Sequence, residues 1–205
     1  DLSPAGVTNM AAFCAEMAEA SESNYHIINK YKIAPLENIN RGRAGESGTE
    51  SANIPSGGIG RVRAGMIRYL FDNYYTSTDA NAWTASNAGA FQLAVWELLH
   101  EKYNSNNSFT ITSASTNGFY VLATYNTASV TQAQGYLNAI NTLNWTDAQW
   151  MSYKSTAWHV IALEANNDTN PCTPDGQDFL IAQPIVGACV LNLGNIVWVD
   201  TNGNG

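Results

Sequence analysis

Four short segments of the chain, two near each end, are rich in apolar residues, and one of them, 25–33, alternates apolar with polar positions. The segments 10–16 and 25–33 precede the middle of the chain, and 156–163 and 178–184 follow it. Short apolar or alternating runs of this length are typical of β-strands. The turn-rich stretch 166–176 separates the second pair and favours a reversal of chain direction there.

In the middle of the chain, apolar residues recur at helical spacing instead. Within 61–75, the apolar residues Val62, Met66 and Leu70 recur every four positions, which places them on one face of a helix. We therefore predict a helix over this segment, with its apolar face turned toward a core.

Two further helices are predicted by the same repeat and by residues that can cap a helix. The first begins near Ser86 or Asn87 and runs to about Lys102. The second runs from Thr131, its candidate cap, to Leu143.

Strands at both ends and helices between them predict an α+β fold. We expect an antiparallel β-sandwich or barrel core, with a helical bundle over about 61–145 inserted into it or packed on it. This domain is expected to span 1–190, and 191–205 to form a linker or the start of a following module. The Gly-, Ser-, Asn- and Glu-rich segment 37–60 predicts a long exposed loop, and loops of that length are commonly functional or mobile.

Composition narrows the class of protein. The 205 residues are 45% hydrophobic and only 13% charged. This composition suits one sizeable domain or two tightly joined subdomains, and the residue usage is typical of extracellular bacterial proteins. A net charge of -8 argues against nucleic-acid binding. Seven of the nine basic residues precede residue 70, which favours a solvated face, with a ligand-steering patch as the alternative. No apolar run approaches the roughly 20 residues that cross a bilayer, so we expect a mature fragment without membrane insertion.

The three cysteines form an odd set. Cys172 and Cys189 flank a turn and a strand-like run, and in an oxidising compartment their pairing would stabilise the fold by about 3 kcal/mol. Two buried thiols in a reduced protein are the alternative. Pairing would leave Cys14 alone, and an unpaired cysteine in a secreted protein calls for a chemical role.

Gln92 offers that role. A cysteine thiol that displaces ammonia from a glutamine side chain forms an internal thioester, a built-in acylating group. Phe13, Phe91 and Trp96 are candidates to shield such a bond from water, which would otherwise hydrolyse it. Taken singly, Cys14 is more simply a small buried apolar residue, and Gln92 a core-helix side chain bonded to the backbone.

The two motifs together resemble bacterial thioester domains of the TQXA type. Phe13-Cys14-Ala15-Glu16 is similar to their cysteine motif, and Phe91-Gln92-Leu93-Ala94-Val95-Trp96-Glu97 to their glutamine motif. The similarity covers most of the chain from Phe13 to about Pro184. It departs at Ala15, which is smaller than the usual residue there.

The C-terminal segment resembles the opening of the B-type repeat modules that form stalks in bacterial surface proteins. Its residues Asp200, Asn202, Asn204 and Gly205 match the first half of a calcium loop, but the later acidic ligand is absent. We therefore expect no metal site, and no cofactor.

The resemblance implies a covalent surface adhesin rather than an enzyme. The thioester would capture an amine, either a lysine side chain or a polyamine of a host or neighbouring-cell surface protein. The product would be an amide on Gln92 with release of the Cys14 thiol, and each molecule would react once. Such domains lie on the bacterial cell surface, and we expect a monomer. Residue type alone offers as proton acceptors Glu16, Glu97, His26, His100 and His159. We expect His100 to lie too far along its helix to contact Gln92, and His159 to be a core residue.

Two other classes compete with this hypothesis. In a cysteine hydrolase or transglutaminase, Cys14 would attack an external substrate, but the chain lacks a local signature of either. In a non-covalent adhesion or carbohydrate-binding module, the many Tyr and Trp residues would bind the ligand, with Cys14 and Gln92 inert.

Overall fold

Four short strands and four helices make up the part of the chain that the computed structural model describes. That part comprises residues 9–15, 31–39, 58–101, 108–113, 119–122, 125–165 and 178–185. The strands are β1 (Phe13–Cys14), β2 (Tyr31–Ala34), β3 (Trp158–Ala165) and β4 (Phe179–Pro184). The helices are α1 (Gly60–Tyr74), α2 (Ala85–His100), α3 (Thr127–Leu143) and α4 (Asp147–Ser152).

The strands form one open antiparallel sheet in the order β1-β4-β3-β2. The predicted α+β class is confirmed, with strands from both ends of the chain and helices between them. The described residues do not show a sandwich or a barrel. β1 lies at one edge of the sheet, so no described strand pairs with the outer side of Cys14.

An aromatic core joins one face of the sheet to the helices. The ring of Phe13 on β1 lies 4.6 Å from that of Phe91 on α2 and 6.5 Å from that of Phe71 on α1, measured between centroids. All three side chains are buried. Contacts of this kind stabilise a fold mainly through the large apolar area that aromatic rings remove from water.

A buried arginine links α1 to the end of α2. The guanidinium of Arg63 donates to the backbone carbonyls of Leu98 and Glu101. The last carbonyls of a helix have no partner within the helix, so a cation there satisfies them and opposes the negative end of the helix dipole. None of the described helices combines the length and apolarity needed to cross a membrane.

The predicted caps of the second and third helices are wrong. Thr84, not Ser86 or Asn87, caps α2 by accepting a hydrogen bond from the backbone of Asn87. Asn126, not Thr131, caps α3, which therefore begins four residues earlier than predicted. In both cases a cap residue stands just outside a polar first turn, where the apolar repeat has not yet begun.

The short helix α4 was not predicted, although its signal is local. Thr146 and Gln149 form a capping box, in which each residue's side chain bonds the other's backbone N–H. The helical part of the fold consequently reaches Ser152 rather than about residue 145. Several predicted features lie outside the described residues: Glu16, His26, Cys172, Cys189, most of the segment 37–60, and the C-terminal segment 191–205.

Candidate functional site

Cys14 presents its backbone to the outer edge of the sheet. Phe13 pairs with Leu180 and Cys14 with Phe179, and the N–H of Ala15 donates to the carbonyl of Asp178 at 2.9 Å. Bonded and non-bonded pairs alternate in an antiparallel ladder, so Cys14 is in a non-bonded pair and directs its N–H and C=O away from β4. A sheet edge of this kind needs another partner for those groups.

Gln92 is that partner, although it lies 78 positions away in the sequence. The backbone N–H of Cys14 donates to Oε1 of Gln92 at 2.8 Å, and Nε2 of Gln92 donates to the Cys14 carbonyl at 2.8 Å. A primary amide carries one acceptor and one donor group side by side, as a neighbouring strand would. The side-chain amide of Gln92 is therefore held against the residue that carries the thiol.

The packing of α2 fixes this approach. Phe91 is fully buried against Phe13, and each of these rings precedes one member of the Cys14–Gln92 pair in sequence. The thiol and Phe13 lie on opposite faces of β1, because consecutive strand residues alternate. Phe13 and Phe91 thus anchor the two segments from the core side.

Burial changes the chemistry of the thiol. Cys14 is half-buried, and desolvation raises the pKa of its thiol, an effect that a backbone hydrogen bond only partly offsets. The thiol is therefore protonated at neutral pH. Attack on a carbonyl requires that a nearby group accept its proton.

Aromatic side chains lie near α2 one turn after Gln92 and one turn before it. Trp96, one turn further along α2, is half-buried with its ring 6.2 Å from that of Phe119. One turn earlier stands Gly89, and a Cβ at Gly89 would lie 3.6 Å from the hydroxyl of Tyr125. Tyr125 was not predicted to lie here, and its only local signal is that it precedes the α3 cap Asn126.

His100 contacts the backbone next to Cys14 rather than Gln92. Its Nε2 lies 2.8 Å from the carbonyl of Ala15, the residue after Cys14. A carbonyl only accepts hydrogen bonds, so Nε2 carries a proton and donates it. His100 consequently positions the chain that follows the cysteine, and this nitrogen is not a proton acceptor.

Glu97 is buried on α2, five residues after Gln92. One of its carboxyl oxygens accepts a hydrogen bond from the backbone N–H of Thr110 at 2.9 Å. Burial, followed by the neighbouring Glu101, raises the pKa of Glu97 to about 8, against the opposing effects of Thr110 and Arg63. Near neutral pH its carboxyl group is mostly protonated, and it can lose that proton within a biologically accessible pH range.

His159 lies far from this site. It is exposed near the start of β3 and pairs with Gln183, whereas Cys14 pairs with Phe179, which is opposite Leu163. The four-residue offset along β3 corresponds to about 13 Å. Because His159 is exposed, its interpretation as a core residue is wrong.

The described residues contain no group of three or more His, Cys, Asp or Glu side chains arranged to hold a metal ion. Comparison of the chain with protein-family models, curated proteins and solved structures finds no match. The motifs and the geometry of the Cys14–Gln92 pair therefore carry the functional argument.

Proposed function

We propose that the protein is a covalent adhesin domain in which Cys14 and Gln92 form an internal thioester that captures an amine. The supporting observation is the pair of hydrogen bonds between the Gln92 amide and the Cys14 backbone. Two segments that resemble the motifs of thioester domains are in direct contact, although a long stretch of chain separates them.

Formation of the bond follows from the chemistry of these atoms. The Cys14 sulfur attacks the side-chain carbonyl carbon of Gln92, the thiol proton passes to the departing nitrogen, and ammonia leaves. The Cys14 N–H that donates to Oε1 stabilises the negative charge that develops on this oxygen. The balanced products are a thioester and one molecule of ammonia.

Capture of the target repeats the attack at the same carbon. A primary amine adds to the thioester carbonyl, the carbon–sulfur bond breaks, and the amine's proton passes to the departing sulfur. The product is an amide on Gln92 with a free Cys14 thiol. Because an amide is much less reactive than a thioester, each molecule reacts once, and the protein is a single-turnover binder rather than an enzyme.

The same proposal includes the location, the target and the core of the domain. The domain acts as a monomer on a bacterial cell surface, above a stalk that begins near residue 191, and bonds a lysine or polyamine of a host or neighbouring-cell protein. A β-sandwich core is supported by Ile161 and Ile181, which share the sheet face of Cys14 and are only 5% and 2% exposed. A second layer over this face would account for their burial.

Intact mass tests the bond directly. A thioester lowers the mass by about 17 Da, one ammonia, relative to the sequence, and methylamine then raises it to about 14 Da above the sequence mass. Peptide mapping should place the added methylamine on Gln92. A Glu at this position would instead report that the thioester had formed and hydrolysed.

Three variants provide controls. Cys14→Ala and Gln92→Glu should show neither the loss of ammonia nor methylamine uptake, whereas Gln132→Glu, on the surface of α3, should behave as the original protein. Freshly purified protein with the full sequence mass, unmodified Gln92 and a readily alkylated Cys14 would contradict the proposal.

A further inference from the structure

A cleft of about 710 Å³ opens at the end of the sheet remote from Cys14. The first turns of α1, the end of α4, and the meeting of β3 with β4 surround it. Its volume falls within the range of sites that bind small molecules. The thioester proposal makes no use of it.

Basic residues are concentrated in this cleft despite the acidic chain. The described part of the chain contains five basic residues, and Arg61, Arg68 and Lys154 all line the cleft. Among the described lining residues, Glu37 is the one carboxylate, and Arg68 binds it at 2.7 Å. Since that ion pair is internally neutral, Arg61 and Lys154 give the cleft its positive charge.

These two cations are available to a ligand. Both are exposed, and within the described residues neither forms a hydrogen bond or an ion pair. By contrast, Lys32 on β2 contacts Glu164 at 3.4 Å. An anion in the cleft would therefore not have to displace a hydrogen-bond or ion-pair partner of Arg61 or Lys154 among the described residues, and the charge of Arg61 otherwise acts on Glu37 only through space.

The wall beside them is held in place and carries further unused donors. One carboxylate, Asp72, accepts hydrogen bonds from the backbone N–H groups of Thr156, Ala157 and Trp158, which fixes the start of β3. The adjacent Ser155 has a buried Oγ with no partner among the described residues. A buried hydroxyl without a partner is costly, and rotation of the Ser155 side chain toward the cleft would let an oxygen atom of a ligand satisfy it.

We infer that this cleft binds an acidic saccharide. Arg61 and Lys154 receive its carboxylate or sulfate group, Ser155 Oγ donates to a ring or hydroxyl oxygen, and Trp158 offers an aromatic surface to the apolar face of a sugar ring. A saccharide fits better than an acidic peptide, because each sugar hydroxyl can also accept hydrogen bonds from this donor-rich lining. A peptide N–H can only donate, and no unpaired carboxylate in the described lining would accept it. This site acts independently of the Cys14–Gln92 bond.

Titration calorimetry with defined probes tests the assignment. The probes are 3′-sialyllactose, which carries a carboxylate, a sulfated heparin disaccharide, and lactose as the neutral control. At least one acidic saccharide should bind, lactose should not, and added salt should weaken binding. The double variant Arg61→Gln/Lys154→Gln should lose about tenfold or more in affinity.

Matched controls separate the cleft from charge alone and from the thioester. Lys32→Gln removes one positive charge elsewhere and should bind the saccharide as the original protein does. The double variant should keep its thermal unfolding midpoint and its methylamine uptake, because both substituted side chains are exposed and remote from Gln92.

Several results would overturn the assignment. They are no binding of either acidic saccharide, equal binding of lactose, unchanged affinity in the double variant, equally tight binding of sodium sulfate alone, or tighter binding of hexaglutamate. The last two outcomes would identify an inorganic anion site and an acidic-peptide site respectively. Failure of methylamine uptake with intact saccharide binding would count against the thioester and leave this assignment standing.

Discussion

Gln92 contacts the backbone of Cys14 through both ends of its amide, with two hydrogen bonds of 2.8 Å each. Neither bond involves the sulfur atom. The contact of α2 with β1 therefore does not depend on the thiol, and it holds the amide against Cys14 without a covalent bond. This independence allows the structural and chemical roles of Gln92 to be measured separately.

Gln92→Leu in a Cys14→Ala background isolates the structural role. The Cys14→Ala protein cannot form a thioester but keeps both hydrogen bonds, and leucine then removes them at similar volume. We expect the added substitution to lower the free energy of unfolding by about 1–3 kcal/mol, because two backbone groups lose their partners. Urea denaturation measures the difference.

Gln132→Leu in the same background is the matched control, since Gln132 bonds the hydroxyl of Tyr136 on one face of α3. It should cost less than Gln92→Leu. Equal stability of the Cys14→Ala protein with and without Gln92→Leu would contradict the role assigned to the two hydrogen bonds.

Glu97 should make stability fall as pH rises. Its pKa of about 8 in the folded protein lies above the ordinary value of 4.5, so the folded state holds a proton that the unfolded state loses. This stabilisation is complete below pH 4.5 and is lost as pH rises through about 8, at no more than about 1.4 kcal/mol per pH unit. Glu97→Gln keeps an oxygen for Thr110 but cannot ionise, so the decline should largely disappear.

Unfolding free energies from pH 5 to pH 9 provide the comparison, with Glu164→Gln as control. Glu164 on β3 pairs with Lys32 on β2, and substitution of Glu164 should leave the decline in place. Parallel pH profiles for Glu97→Gln and the original protein would show that another group causes the decline.

Substitution of alanine for glycine should have opposite effects on stability at two positions. A Cβ at Gly65 of α1 would lie 2.1 Å from the backbone carbonyl oxygen of Trp150 on α4, whereas a Cβ at Gly135 of α3 meets nothing within 4 Å. Gly65→Ala must separate the two helices, and we expect a loss of at least about 2 kcal/mol. Gly135→Ala should instead gain about 0.5–1 kcal/mol, because alanine favours the helix. Thermal unfolding distinguishes them, and similar midpoints would contradict the close contact of α1 and α4.

Asp72 should be a strong determinant of stability. Besides the hydrogen bonds from the N–H groups at the start of β3, Asp72 accepts one from the hydroxyl of Tyr153 at 2.9 Å. Asp72→Ala leaves all these donors without their acceptor, and we expect a loss of at least about 3 kcal/mol. Asp72→Asn keeps one oxygen but turns an NH₂ group toward the donors, so its loss should be intermediate. Denaturant unfolding of the two variants should follow this order, and equal losses would count against the hydrogen-bond explanation.

The helices were largely predictable because their signals are local. The repeat of Val62, Met66 and Leu70 located α1 to within one residue at each end. The starts of α2 and α3 were misplaced because Thr84 and Asn126 stand outside the apolar repeat. Strand pairing is not local, so the edge position of β1 and the order of the sheet required the structure.

The candidate site was predictable only as a pair of residue types. The motifs singled out Cys14 and Gln92, but the contact between them depends on the burial of Phe13 against Phe91 and on the free edge of β1. The contact of His100 with Ala15 was not predicted, because only the distance of His100 along α2 from Gln92 was considered. The cleft lined by Arg61 and Lys154 joins residues about 90 positions apart and has no motif.

The amide of Gln92 also covers an edge that another polypeptide could use. Exposed strand edges recruit further strands from other chains, and proteins commonly block them. At Cys14 a single side chain from α2 does so by occupying both backbone groups. Removing that amide therefore opens a place for intermolecular β-pairing, and variants at Gln92 should be prone to self-association as well as less stable.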